Sequence, residues 1–195
     1  MNFLAHAYLS GDSESLLIGN FIADAVKGSA INTFSEEIKR GIILHRHIDA
    51  FTDTHPVVHT SILRLRPKYH KYSGVLVDIF YDHFLARNWK NYSSVELKTF
   101  AENVYSVMQI NFELLPPHSK ELLPYMIKYD WLTNYARLEG IQNVLNGMAS
   151  RTSFVSHMEE AITELKQDYT LFENEFKIFF PELVQSSKEF IRRTS

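Results

Sequence analysis

Apolar residues recur at three- and four-residue intervals along most of the chain, and the punctuation between them belongs to helices. Asp12 is placed to cap a helix running to about residue 27, with Gly28 in the left-handed position beyond its end. Thr33 and Glu36 have capping-box spacing and predict a second helix to about Thr52, ahead of Pro56. Pro56 and Pro67 frame a short helix, and Ser73 opens one that runs through about Asn88. Ser93 and Glu96 repeat the capping-box spacing, starting a helix that stops before Pro116-Pro117. Ser119 begins a segment that Pro124 is expected to kink or break. Helices over 138–148 and from about 153 towards 180 complete the set. The part from Glu159 onward, rich in carboxylates, reads as a solvated amphipathic helix pair. No alternating run ends in a hairpin turn; the one Asn-Gly, Asn146-Gly147, lies in a helix-periodic stretch. Nothing resembling a repeat or linker divides the chain, so the pattern predicts an all-α, single-domain helical bundle over residues 1–195.

Composition narrows the chemistry. With 195 residues, 45% of them hydrophobic, 14 Phe and 10 Tyr, the chain can bury a full core. It has no cysteine, which excludes a disulfide scaffold, a thiol nucleophile and metal sites built on thiolates. A net charge of −3 argues against wrapping nucleic acid. No Lys or Arg precedes Lys27, and Asp12, Ser13 and Glu14 arrive too early for a secretory core. No apolar run approaches the roughly 20 residues of a membrane span. A soluble cytoplasmic protein with neither nucleic acid nor membrane as partner is expected.

The informative residues are polar ones on apolar helix faces. Asn2 and His6, Asn20 and Asp24, His45 and Asp49, and Asp78 and Asp82 are each four apart, one turn above the other. His45 and Asp49 share their side with Ile38, Ile42 and Ile48, whereas Arg46 and His47 point elsewhere. Asp78 and Asp82 fall among Val75, Ile79, Leu85 and Ala86, and Asp24 follows the stripe of Leu17 and Asn20. Burying unpaired carboxylates costs several kcal/mol, so these must be neutralised by arginine, by a proton or by a metal ion. Arg46, Arg87 and Arg151 are available for a buried ion-pair network. The mixture of His6 and His45 with carboxylates equally suits a divalent cation. A Glu-x-x-His tetrad, a His-Glu-x-x-His motif and a phosphate-cradling glycine loop are all missing. His83 follows Asp82 but is rotated by about 100° from it, leaving a packing role or a proton donor at a site rim. His47, His55, His59, His70, His118 and His157 read as surface or packing residues.

These residues sit in longer words: Met-Asn-Phe-Leu-Ala-His at the start, Gly19-Asn-Phe-Ile-Ala-Asp24, His45-Arg-His-Ile-Asp49 followed by Thr52-Asp53, Asp82-His-Phe-Leu-Ala-Arg87-Asn-Trp89, and Ile141-Gln-Asn-Val-Leu-Asn-Gly-Met-Ala-Ser-Arg151. In that order, over nearly the whole chain, the sequence resembles the acyl carrier protein phosphodiesterases, an atypical branch of the helical HD phosphohydrolases. The resemblance implies a hydrolase that removes 4′-phosphopantetheine from holo-acyl carrier protein, using a divalent metal, preferably manganese, with magnesium as the other candidate. This chain lacks the adjacent His-Asp doublet of ordinary HD enzymes, so the candidate ligands rest on the facial geometry instead: His6, Asp24, His45, Asp49, Asp78 and Asp82. Among them Asp24, His45, Asp49 and Asp82, with His83, are the candidate catalytic groups. Asn2 and Asn20 read as supports of these ligands or as helix caps. Arg46, Arg87 and Arg151 are candidates for gripping the phosphoryl group.

An acyl carrier protein is a small acidic helical protein, and no acid falls between Asp53 and Asp78, where Arg64, Arg66, Lys68 and Lys71 accumulate. That stripe is the candidate docking face, the alternative being an ordinary solvated helix and loop. Two rival functions remain at this level: a phosphohydrolase of small molecules, and a helical scaffold whose inward acids and histidines form ion pairs.

Overall fold

The helices of the computed structural model, which describes residues 1–194, form around caps that are often one or two residues from those expected. No strand occurs among the described residues. A short helix, α1 (Phe3–Leu9), opens the fold, with the Asn2 side chain accepting from the Phe3 amide. Ser13, not Asp12, caps α2 (Glu14–Ile22) by accepting from the Leu16 amide at 3.3 Å. This helix stops short of residue 27, tightening into a 3₁₀ turn at Ala23–Ala25 that carries Asp24. Gly28, at φ +56°, opens another 3₁₀ turn (Gly28–Thr33). Ser35 caps α3 (Glu36–Thr54) through the Ile38 amide, because the Thr33 hydroxyl is spent on the Ala30 carbonyl.

Pro67 lies inside α4 (Pro56–Tyr69), which ends where His70 adopts φ +47°. Then come α5 (Ser73–Arg87) and α6 (Leu97–Ile110). The Ser93–Glu96 capping box does not form: the Ser93 hydroxyl accepts from Val95. Pro117, suited to a first turn by its fixed φ, starts α7 (Pro117–Lys128), and the helix continues through Pro124. A one-turn helix, α8 (Trp131–Asn134), and α9 (Leu138–Ala149) follow.

The expected long helix from residue 153 is corrected. Residues 152–157 are not helical, and α10 (Ile162–Gln167) is separated at Asp168 from α11 (Tyr169–Thr194). Nor is α11 merely a solvated surface helix. Phe172, Phe176, Phe179, Phe180 and Leu183 form a fully buried stripe on it. That stripe packs edge-on against α5, with Phe80 and Phe172 ring centres 5.2 Å apart and Tyr81 and Phe176 5.6 Å apart. Nearly every side chain of α5 from Leu76 to Ala86 is buried, so this helix is the axis of the bundle.

The pair that matters for the site is α2 against α3. A Cβ on Gly19 would lie 2.1 Å from the Ile38 carbonyl oxygen, and one on Gly41 would lie 2.4 Å from that of Leu16. Only glycine permits this backbone approach, and it brings Asn20 and Asp24 beside His45 and Asp49.

Candidate metal centre and cleft

Three segments meet at one end of a cleft of about 1260 Å³: α1 contributes His6, α2 and its trailing turn contribute Asn20 and Asp24, and α3 contributes His45 and Asp49. The two imidazoles stack with centroids 4.1 Å apart. Their Nε2 atoms converge on one carboxylate, His6 on Asp49 Oδ1 at 3.2 Å and His45 on Asp49 Oδ2 at 3.1 Å. Asp24 Oδ1 lies 3.3 Å from the same His45 nitrogen. Donor atoms of His6, His45 and Asp49 all fall within 4.8 Å of one another.

Behind the rings stands Asn20, which is buried. Its side-chain oxygen accepts from Nδ1 of His6 at 2.8 Å and of His45 at 3.0 Å, and its backbone oxygen accepts from His45 Nδ1 at 2.9 Å. Its amide donates to the His6 carbonyl and to Ser10 Oγ, which fixes the orientation of the amide group. With both Nδ1 protons directed at acceptors, both Nε2 atoms point into the cluster, where each can ligate once free of a proton. That is the tautomer a metal requires of histidine, held by a partner of the kind that usually orients such ligands. The donor set therefore fits a divalent cation.

Electrostatics tell the same story from the cation-free side. Burial disfavours charge on both imidazoles. On His6 it prevails, aided by His45 next door, and the pKa is lowered. On His45 it is overruled by the carboxylates of Asp24 and Asp49, which push the pKa up to about 9. Burial alone would raise Asp49, yet the two imidazoles hold it well below the carboxylate range, and His45 lowers Asp24 likewise.

The other expected ligands are used elsewhere. Asp82 is fully buried and accepts from the backbone amides of Asn2, Leu4 and Ala5, serving as a remote cap for α1. Burial raises it to about 7 against the pull of those amides and the Met1 ammonium. Asp78 accepts from the Met1 ammonium at 3.0 Å, though it still lines the cleft. Both acids hold the start of α1, apart from the group formed by His6, His45 and Asp49.

His83 lies apart from the main cleft. Its Nδ1 donates to the Tyr135 carbonyl at 2.7 Å, its Nε2 accepts from the Tyr169 hydroxyl, and it lines a separate cavity of about 460 Å³ with Arg87. Of the three phosphate-binding candidates, only Arg151 lines the main cleft, its guanidinium 5.9 Å from the Trp131 ring centre. Arg46 instead donates to the Val26 carbonyl, tying the segment after Asp24 back to α3.

The α4 stripe is largely spent within the fold. Arg64 grips Glu175 through two nitrogens at 2.8 and 2.6 Å, and Lys68 pairs with Glu160 and Glu164. Lys71 sits over the Tyr72 and Phe154 rings, Arg66 is exposed, and no α4 residue lines the cleft. The cleft cations that sequence reasoning missed are Lys128 and Arg137. No spacing marks them, since they reach the cleft only through the turns around α8.

The family profile described as acyl carrier protein phosphodiesterase matches residues 1–183. The chain belongs to the acyl carrier protein phosphodiesterase family. Curated relatives named acyl carrier protein phosphodiesterase include one from Serratia proteamaculans, 33% identical over 97% of this chain and 98% of the relative. Another, from Escherichia coli O157:H7, is 34% identical over 97% of this chain and 99% of its own length. One from Shigella boydii is 35% identical over 94% and 96%. No solved structure gives a significant match. Among the described residues no helix is long and apolar enough to cross a membrane.

Proposed function

We propose that this protein is a cytoplasmic, manganese-dependent phosphodiesterase that converts holo-acyl carrier protein to apo-acyl carrier protein and 4′-phosphopantetheine. The observation that carries the reading is the convergence of His6, His45 and Asp49 inside a large cleft of a chain with this family membership. His6, His45 and Asp49, with Asp24 at the open edge, would hold the cation, with magnesium as the substitute. Such an ion, when bound, acidifies a water and neutralises phosphoryl oxygens.

The chain's own groups do the rest. Asn20 keeps both imidazoles in the ligating tautomer. Asp24, whose side chain is 82% exposed and whose carboxylate His45 holds ionised, is the group placed to take a proton from the attacking water. Arg151 meets the phosphate's negative oxygens from the cleft wall. The cleft also has apolar lining, from Phe3, Leu17, Phe21 and Val144, for the carbon chain of the departing arm.

The test is to incubate purified protein with holo-acyl carrier protein and Mn²⁺ and weigh the carrier by mass spectrometry. The expected result is loss of the phosphopantetheinyl mass, abolished by chelator and by Asp49→Ala. A carrier whose mass is unchanged, alongside turnover of a small phosphodiester, would move the activity to a small-molecule substrate.

A further inference from the structure

The lining of the main cleft carries both signs of charge. The donor cluster brings Asp24, Asp49, Asp53 and Asp78 to one part of it, while α7, α9 and the turns around α8 bring Lys128, Arg137 and Arg151 to another. Some cations elsewhere in the fold have a carboxylate partner: Lys39 takes Glu36, Lys120 takes Glu113 and Lys177 takes Glu173. Lys128 and Arg137 pair with no carboxylate among the described residues, although Asp130 and Glu139 line the same cleft. Asp130 instead accepts from the Tyr105 hydroxyl.

Arg137 also lines the second cavity, where Arg87 is exposed and likewise unpaired. Arg137 and Glu139 line both cavities, so Lys128, Arg137 and Arg87 run as a strip of exposed cations along them, with Glu139 and Glu173 beside it. Beside it, Tyr125 on α7 and Tyr129 just past its end are 57% and 54% exposed, and the Lys128 ammonium lies over the Tyr129 ring. Unneutralised cations next to exposed tyrosines have the composition of a protein-binding surface for an acidic partner. The contrast with the rest of the molecule sharpens this. A chain of net charge −3 repels an acidic protein on average, so docking needs a local surface where the sign reverses.

We infer that Lys128, Arg137 and Arg87, flanked by Tyr125 and Tyr129, form the surface on which the acidic carrier protein seats, its prosthetic arm passing into the cleft towards His6, His45 and Asp49. The inference rests on the carrier-protein reading of the function and relocates docking from α4, where Arg64 and Lys68 are already engaged by Glu175, Glu160 and Glu164.

Binding and turnover separate the two ideas. Fluorescently labelled apo-carrier, which has no arm to cleave, is titrated with wild type and with the Lys128→Glu/Arg137→Glu, Lys128→Gln/Arg137→Gln and Arg66→Glu variants at low and high salt. KM and kcat for holo-carrier are measured alongside, and each variant's melting temperature is recorded. The expected result is at least about a tenfold loss of affinity and a matching rise in KM for the Glu pair, with a smaller loss for the Gln pair and a flattened salt dependence in both. Arg66→Glu is expected to bind as wild type does.

Unchanged affinity and KM in the Glu pair would overturn the inference while leaving the hydrolase reading intact. An equal loss in Arg66→Glu would overturn it too, by showing a diffuse charge effect. So would a wild-type dimer that dissociates in the Glu pair while carrier binding persists, since the strip would then join two copies of this chain. If wild type binds the carrier through the strip yet releases no phosphopantetheine, the docking surface stands and the hydrolase reading falls.

Discussion

At the scale of single residues, the cluster stores its chemistry in one proton. With no cation bound, His45 holds a proton between Asp24 and Asp49 up to a pKa of about 9, while burial keeps His6 neutral. A divalent ion must displace that proton, so its affinity should strengthen as pH rises from 6 towards 9 and level off above. Mn²⁺ calorimetry in buffers of different protonation enthalpy should show close to one proton released per ion at pH 7. An affinity flat across that range would take His45 out of the centre. Folding stability runs the other way. A histidine raised above its unfolded value contributes fully below pH 6.5, and the contribution is lost as pH rises through about 9. The cation-free protein should therefore lose melting temperature across that window.

Asn20 is the other residue to test at this scale. Asn20→Ala removes the acceptor on His6 Nδ1 and one of the two on His45 Nδ1, which keeps the backbone oxygen of residue 20, and Mn²⁺ affinity should fall by about 10–100-fold. An unchanged affinity would show that packing and the backbone oxygen of residue 20 suffice to orient the rings. The four-residue spacing of His45 and Asp49 is visible in the sequence, because one helix carries both. Asn20's double acceptance is not, because it depends on α1 and α3 reaching the same amide.

At the scale of elements, the site is as good as the crossing of α2 and α3. Gly19→Ala puts a methyl 2.1 Å from the Ile38 carbonyl oxygen and 2.8 Å from Gly41 Cα, so the helices must part. The side chains that bridge them, Asn20 to His45 and Asp24 to His45, part with them. Lower stability together with lost Mn²⁺ affinity is expected, read by urea denaturation and calorimetry. Loss of stability with affinity intact would mean the crossing can relax without opening the cluster.

Asp82 works at the same scale. Asp82→Ala strips the buried amides of Leu4 and Ala5 and the part-buried amide of Asn2 of their acceptor, at about 1–3 kcal/mol, and loosens the helix that carries His6. Its inward position is legible from the apolar neighbours of α5, but its partner is not. A buried carboxylate can be satisfied by a metal, by arginine or by a helix terminus, and only the folded chain shows that α1 supplies the answer. Cap positions slipped for a similar reason: Asp12 and Ser13, or Thr33 and Ser35, compete as neighbours, and hydroxyl geometry decides between them. The break at Asp168 was hidden because the segments on either side of it are both helical and rich in acids.

At the scale of the whole molecule, α1, the α2 turn and α3 are distinct segments whose polar side chains meet at the cluster. An ion bound there links all three and is released when they separate, so it must add to global stability by mass action. With free Mn²⁺ at about 100 times its dissociation constant, the added stability is about 2.7 kcal/mol. For a chain of this length that corresponds to a rise on the order of 5–10 °C in melting temperature. Asp49→Ala should abolish the rise, since that carboxylate bridges both imidazoles, whereas Arg66→Glu should keep it. Calcium or sodium at equal ionic strength distinguishes ligation from screening, because screening acts on surface pairs whatever the ion. A melting temperature indifferent to Mn²⁺ and to chelator in the wild-type protein would leave His6, His45, Asp24 and Asp49 as an ion-pair network that needs no metal, the scaffold reading that the same residues allow.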